Sequence, residues 1–277
     1  MKLDENTLIK LPDYEHEFIT IEGKSYFCKR AIDEGLELVG NRLANKMGIL
    51  SSKDYLVKTP DGLFYLSYNF NNDAKFISAA KLGIKLSNLY SAWDRLENLY
   101  PTEVEKLMQQ LVKVFLFDIF LMYGDRHLGN YGILENINQR DITILDNDLI
   151  FSDTEYVRLK PKYNAEDKLR TYSKTGVSHK KSSFSILHNM ENLEYFIATT
   201  SKEFYPIIKE FYNVLTPDLI YEVIKQIEHE ENIKFYELEY MMMLYNENYK
   251  GITNLLKMRG ITVSYTHLRA HETSAHL

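Results

Sequence analysis

Gly124-Asp125-Arg126-His127-Leu128-Gly129-Asn130 is the most informative stretch of this 277-residue chain. It lies between an apolar helical pattern and a β-prone run. Upstream, Thr102 to Tyr123 carries the strongest helical periodicity, with Thr102 as the expected N-cap and Glu103 and Glu105 in the first turn. Val104, Leu107, Met108, Leu111, Phe115 and Ile119 form one stripe. Val114 to Met122 is apolar on nearly every side, so that half is expected to be buried. Downstream, Ile133-Leu134 and Ile142-Thr143-Ile144-Leu145 read as short strands, the second running into Asp146-Asn147-Asp148.

An Asp followed five residues on by Asn, and then by an Asp at a strand end, has the spacing that phosphoryl transfer uses. The first carboxylate accepts the proton of the attacked hydroxyl. The amide and the second carboxylate hold Mg²⁺ on the phosphates, where it neutralises developing charge. Asp and Asn also favour turns, so the spacing alone is a weak signal. Its setting, a buried helix followed by a hairpin, gives it weight.

The N-terminal part reads differently. Phe18-Ile19-Thr20-Ile21 and Tyr26-Phe27-Cys28 flank Glu22-Gly23-Lys24-Ser25, a hairpin signal. A helix is expected from Gly35 to Met47, with Leu36, Val39, Leu43 and Met47 on one stripe and Gly48 as its stop. Tyr55-Leu56-Val57 and Leu63-Phe64-Tyr65-Leu66 read as a second strand pair joined at Thr59-Pro60-Asp61-Gly62. Lys29 ends a strand and Glu37 follows eight residues later on the helix, the order of the lysine and glutamate that a kinase needs. After about residue 75 the pattern turns mainly helical, with helices expected at Lys202 to Val214, Asp218 to Glu230 and Ile233 to Lys257. The expected division is a nucleotide-binding N-lobe over residues 1–74, a helical C-lobe over 75–262 and a non-native tail over 263–277.

Phe117 to Asn130, with its D-R-H-x-x-N core, resembles the catalytic segment of HipA-like serine/threonine kinases. Ile144-Leu145-Asp146-Asn147 looks like their metal-binding strand end. Glu37 to Ile49 is similar to their N-lobe helix, Tyr26-Phe27-Cys28-Lys29 to their lysine strand, and Leu66 to Phe70 to the segment entering their hinge. The resemblance covers residues 18–151 in patches. It implies an α+β, two-lobed protein-kinase-like fold with a small β-rich N-lobe and a mainly helical C-lobe. It implies ATP and Mg²⁺ as cofactors, Asp125 as catalytic base and Asn130 with Asp146 as metal ligands. Lys29 would contact ATP phosphates, Glu37 would position it, and the hinge at Tyr68, Asn69 and Phe70 would receive adenine through backbone groups. Family substrates are proteins, and some members are toxins that phosphorylate aminoacyl-tRNA synthetases.

Two departures stand out. Gly23 is alone, with no glycine-rich loop before Lys29, and the N-terminal subdomain of fuller members is not evident. A small antitoxin or a separate subdomain-like protein is therefore an expected partner. Asp148 rivals Asp146 as metal ligand, and His127 is expected to brace its loop. Other readings are a lipid or small-molecule kinase, which shares the D-R-H-x-x-N core, and a binding module that keeps the fold without turnover.

Bulk properties lead to the expectation of a cytoplasmic globular protein. Hydrophobic residues are 45% and charged residues 26%, and the net charge of −6 argues against a general nucleic-acid surface. Cys28 is the one cysteine, which excludes a disulfide framework. No membrane span or signal peptide is expected. Thr171 to Ser183 is hydroxyl-rich and basic, at the place where kinases keep their activation and substrate-docking region, but a solvated loop is the reading preferred for it. Tyr236 to Tyr245, with Met241-Met242-Met243, reads as a packing seam. The tail from Val263 holds His267, His271 and His276; it misses the H-E-x-x-H spacing by one residue and resembles translated sequencing adaptor.

Overall fold

Glu22 and Gly23 both have positive φ, 51° and 77°, and this two-residue turn sets the first hairpin. Two left-handed central residues match the twist of the strands they join, and glycine takes that conformation without steric cost. β1 (Glu17–Ile21) accordingly pairs antiparallel with β2 (Lys24–Arg30), Ile21 opposite Lys24. The structure is a computed structural model that describes residues 11–31, 35–124, 126–137, 139–151, 186–235 and 238–262.

α1 (Leu36–Lys46) follows, with Leu36, Val39 and Leu43 buried as its periodicity predicts. Gly48, at φ 65°, turns the chain after it. β3 (Leu50–Ser51), β4 (Asp54–Thr59) and β5 (Gly62–Tyr68) come next. β1, β2, β5 and β4, in that order, make an antiparallel sheet. One face buries Ile19, Tyr26, Cys28, Val57, Phe64 and Leu66 with Leu11. Strand side chains alternate, so Phe27 and Lys29 fall on the opposite face from Tyr26 and Cys28.

A second sheet has the order β3-β8-β7-β6: its two central strands fall where Ile133-Leu134 and Ile142 to Leu145 read as strands, whereas its edge strands β3 and β6 are not anticipated from periodicity. β6 (Lys75–Ser78), β7 (Tyr131–Glu135) and β8 (Arg140–Ile144) are antiparallel neighbours, whereas β3 joins β8 in parallel. β3 thus carries the chain leaving α1 directly onto β8, the strand that precedes Asp146 by two residues.

The rest is helical: α2 (Ala79–Leu82), α3 (Leu89–Leu99), α4 (Val104–Leu121), α5 (Ile186–Thr199), α6 (Tyr205–Val214), α7 (Pro217–Glu231) and α8 (Leu238–Met258). α4 is the central helix, with Leu107, Leu111, Val114, Phe117, Phe120 and Leu121 fully buried. Thr102 does not cap it. The chain turns through Pro101 to Glu103, whose N–H bonds Tyr100 O at 3.0 Å, and Glu103 takes the N-cap position. The Glu103 carboxylate instead accepts from Arg140 at 2.7 Å. α8 begins at Leu238 rather than Ile233, and its Tyr240, Met241, Leu244 and Tyr245 are buried, a packing seam as expected. The fold is α+β, with a small β-rich lobe and a mainly helical one. Among the described residues no helix is long and apolar enough to cross a membrane.

Candidate active site

The Lys29 ammonium is the centre of the site. It donates to Glu37 Oε2 at 2.9 Å, to Asp146 Oδ1, and to Asp148 Oδ2 at 3.3 Å. β2 supplies the lysine, α1 the glutamate, and the loop after β8 both aspartates. Glu37 is 1% exposed and Lys29 13%, whereas Asp146 and Asp148 are about one-third exposed, at 38% and 31%. Burial works against the Lys29 charge, but the three carboxylates outweigh it and hold the amine protonated, above its ordinary range. Burial alone would raise Asp146; the ammonium reverses this and holds its carboxyl below the usual value. Glu37 goes the other way, pushed up by its complete burial despite Lys29.

Asp146 sits at φ 56°, a left-handed conformation that costs a non-glycine residue about 1–3 kcal/mol. Its carbonyl accepts the Tyr123 hydroxyl. Asn130, 6% exposed, lies beside it: its carbonyl accepts Leu145 N–H at 2.8 Å, tying the catalytic-type loop to the end of β8. His127 braces that loop, its Nδ1 accepting Gly129 N–H at 2.9 Å and its carbonyl accepting Asn130 N–H at 2.9 Å. Asp125, the Thr171 to Ser183 stretch and the tail from Val263 lie outside the described residues.

A cleft of about 280 Å³ opens beside these groups. Lys29, Asn130 and Asp146 line its polar end, and Phe18, Phe27, Tyr68, Asn69, Phe70 and Phe76 line the rest. Aromatic walls with a few convergent polar groups suit a planar ligand bearing charge at one end. The Asn69 N–H is already committed to Ser25 O at 3.1 Å, and its side chain caps the turn at Phe70–Asn72 by accepting Asn71 N–H. Carboxylate oxygens of Glu37, Asp146 and Asp148 lie within 4.8 Å of one another. Such hard oxygen donors fit Mg²⁺.

Several residues around the site carry no assigned role in the motif reading, although Arg126 lies within the D-R-H-x-x-N core. Arg126 is 5% exposed and bonds Asp118 at 3.1 Å, Leu145 O at 2.8 Å, Asn130 O at 3.2 Å and Asn147 Oδ1 at 2.9 Å, with its guanidinium over the Tyr123 ring. Asn147 and Asn41 are buried beside Glu37. The signal that points to them is Gly40, an isolated glycine inside a helical pattern, which marks a close approach.

Among solved structures, the chain is similar to the Helicobacter pylori proinflammatory kinase CtkA. The TM-score is 0.64 and the identity 17%, over 88% of this chain and 93% of that one. The chain has a kinase fold. A chain of the Shewanella oneidensis MR-1 toxin–antitoxin complex of HipA, HipB and operator DNA is similar at a TM-score of 0.44 and 14% identity, over 86% of this chain and 60% of the other. No family model matches the chain, and no curated protein matches it in sequence.

Proposed function

We propose that the chain is a HipA-like kinase that uses ATP and Mg²⁺ to phosphorylate a serine or threonine hydroxyl of a protein. One observation carries this: the Lys29–Glu37 ion pair meets Asp146 at the polar end of an aromatic cleft, inside a kinase fold. A strand lysine held by a helix glutamate, facing an aspartate that follows a strand, is the arrangement that binds and orients ATP phosphates in protein kinases. In this scheme Lys29 grips the phosphates and Glu37 fixes its direction. Asn130 and Asp146 hold the metal, with Asp148 next to them as the rival ligand. Tyr68, Asn69 and Phe70 border the base. Bound Mg²⁺ supplies charge neutralisation on the transferring phosphoryl group. Asp125 accepts the proton of the attacked hydroxyl. A protein substrate and a small antitoxin-like or subdomain-like partner belong to the same proposal.

A second reading, a nucleotide-binding module without turnover, is favoured by the two-residue turn at Glu22-Gly23, which leaves little backbone to cover phosphates. The two separate in one experiment. The purified chain is incubated with Mg²⁺ and γ-labelled ATP, alone and with cell lysate, beside Asp125→Asn. Label on a protein band that vanishes in the variant supports the kinase. Label confined to lipid or small metabolites moves the substrate class, and ATP binding without transfer supports the module.

A further inference from the structure

Asn147 is fully buried, and its main-chain N–H and both ends of its side-chain amide are hydrogen-bonded. Its main-chain N–H donates to Glu37 Oε1 at 2.9 Å. Its side-chain amide donates to Asn41 Oδ1 at 2.7 Å and accepts from Arg126 Nη2 at 2.9 Å. Glu37 and Asn41 lie one turn apart on α1, and Arg126 belongs to the loop that contains Asn130. Backbone approach is equally close: a Cβ on Gly40 would come within 2.5 Å of Asn147 Cβ and 2.9 Å of its carbonyl oxygen. Only glycine permits α1 to lie this near the loop after β8.

We infer that Asn147 is a positioning residue that docks α1 against the loop after β8 and so holds Asp146 in contact with Lys29. Asp146 directly precedes it with a left-handed backbone. A residue in that conformation persists only when its surroundings over-determine it. The three bonds of Asn147 fix the peptide that leaves Asp146, and the Tyr123 hydroxyl fixes its carbonyl. Glu37 then acts through both oxygens at once, one on Lys29 and one on the Asn147 N–H. Loss of the Asn147 side-chain amide removes the bonds to Asn41 and Arg126 and leaves the main-chain N–H to Glu37 as one tie of three, so the loop loosens from α1 and Asp146 from Lys29. The consequence is specific: the Lys29 amine, 13% exposed in the docked site, is uncovered to a reagent from solution, although no Asn147 bond reaches it.

This rests on the kinase reading only for what Lys29 and Asp146 do, so the test reads Lys29 directly, without nucleotide. The full chain is pulse-labelled with an amine-acylating reagent at neutral pH, and the Lys29 peptide is quantified by mass spectrometry. Asn147→Ala is expected to raise the Lys29 acylation rate about tenfold, since the loop that carries Asp146 no longer holds its charge-assisted bond over the amine. Gly40→Ala is expected to do the same by steric separation, and so is Asn41→Ala, which removes the acceptor of the Asn147 amide together with a donor to Glu37 Oε1 at 3.5 Å and to Asp54 Oδ2. Asn248→Ala is the control for general destabilisation: Asn248 is fully buried and donates to Ile119 O and Phe120 O at 3.1 and 3.0 Å within the helical lobe. It is expected to leave the rate at the wild-type value. Unchanged Lys29 labelling in the folded Asn147→Ala or Gly40→Ala chain, or an equal rise in Asn248→Ala, overturns the inference. A parallel arm adds MgATP to the wild type; failure to protect Lys29 sinks the nucleotide reading and leaves the Asn147 result standing.

Discussion

Glu37 accepts the Lys29 ammonium on one carboxylate oxygen and the Asn147 N–H on the other, each at 2.9 Å. A single buried side chain on α1 therefore joins the lysine strand of one sheet to the loop that leaves the other. Glutamate suits this place because it offers two acceptors and a charge, and a buried charge is tolerated only when paired and hydrogen-bonded. The position of α1 and the state of the site are thereby one variable.

Glu37→Gln should keep the shape but remove the charge. The Gln carbonyl can still accept from Asn147, but its amide donors then face the ammonium. A charge-assisted hydrogen bond contributes about 1.5–3 kcal/mol, so transfer from ATP should fall about 10- to 100-fold. Steady-state kinetics with the labelled-ATP assay measure this. Wild-type turnover in Glu37→Gln would show that the pair is structural only.

Asp146→Asn removes one negative oxygen from the group that faces Lys29. Mg²⁺-dependent transfer is expected to disappear while the melting temperature stays within a few degrees, because Asp146 is 38% exposed and its carbonyl contact to Tyr123 survives. Titration of activity against Mg²⁺ in both chains checks this. Retained activity would move the metal to Asp148, whose oxygen also reaches the lysine, at 3.3 Å.

The parts of this arrangement that are legible in the sequence are the local ones. The β1–β2 hairpin, α1 and α4 each carry a period long enough to read, and Lys29 and Glu37 stand eight residues apart on consecutive elements. β7 and β8 read as short strands, but β3 has two residues and β6 four, too short for any period, so the edges and the order of the second sheet are hidden. It is specified by long-range contacts such as Thr143 Oγ1 to Leu50 O at 3.0 Å. Asn147 is hidden for the same reason: its partners on α1 are 106 and 110 residues away, and an asparagine after an aspartate looks like a turn residue.

Arg126 is expected to be structural as well as functional. Burial pushes the Asp118 carboxyl up to about 6, against the pull of the Arg126 guanidinium. The ordinary value is 3.8, so the native state binds this proton more tightly than the unfolded chain. The stability it contributes is complete below that value and is lost as pH rises through about 6. Arg126→Ala leaves the carboxylate buried without its partner, a loss of about 3–5 kcal/mol where the group is ionised. Urea unfolding should therefore show a larger deficit at pH 8 than at pH 5. Asp118→Asn should flatten that difference; an equal deficit at both pH values would remove Asp118 from the account.

Cys28 offers a reporter on the smaller lobe. It is fully buried, its Sγ lies 3.7 Å from Leu11 O, and burial, with Glu15 second, pushes the thiol up to about 11 from 9.0. The thiolate is the reactive form, so at pH 8 the native thiol is both covered and protonated. Labelling with a disulfide reagent should be slow in the native chain and fast in denaturant. Because the unfolded thiol ionises first, raising the pH from 9 towards 11 should favour unfolding and accelerate labelling more steeply than thiolate formation alone predicts. The site is on the other face of the same strand, so saturating MgATP, by holding Lys29 and β2 in place, should slow labelling through mass action on the folded lobe. Rapid labelling at pH 8 without denaturant would mean that Cys28 is open to solvent and that the cluster around Phe64 and Leu66 does not close over it.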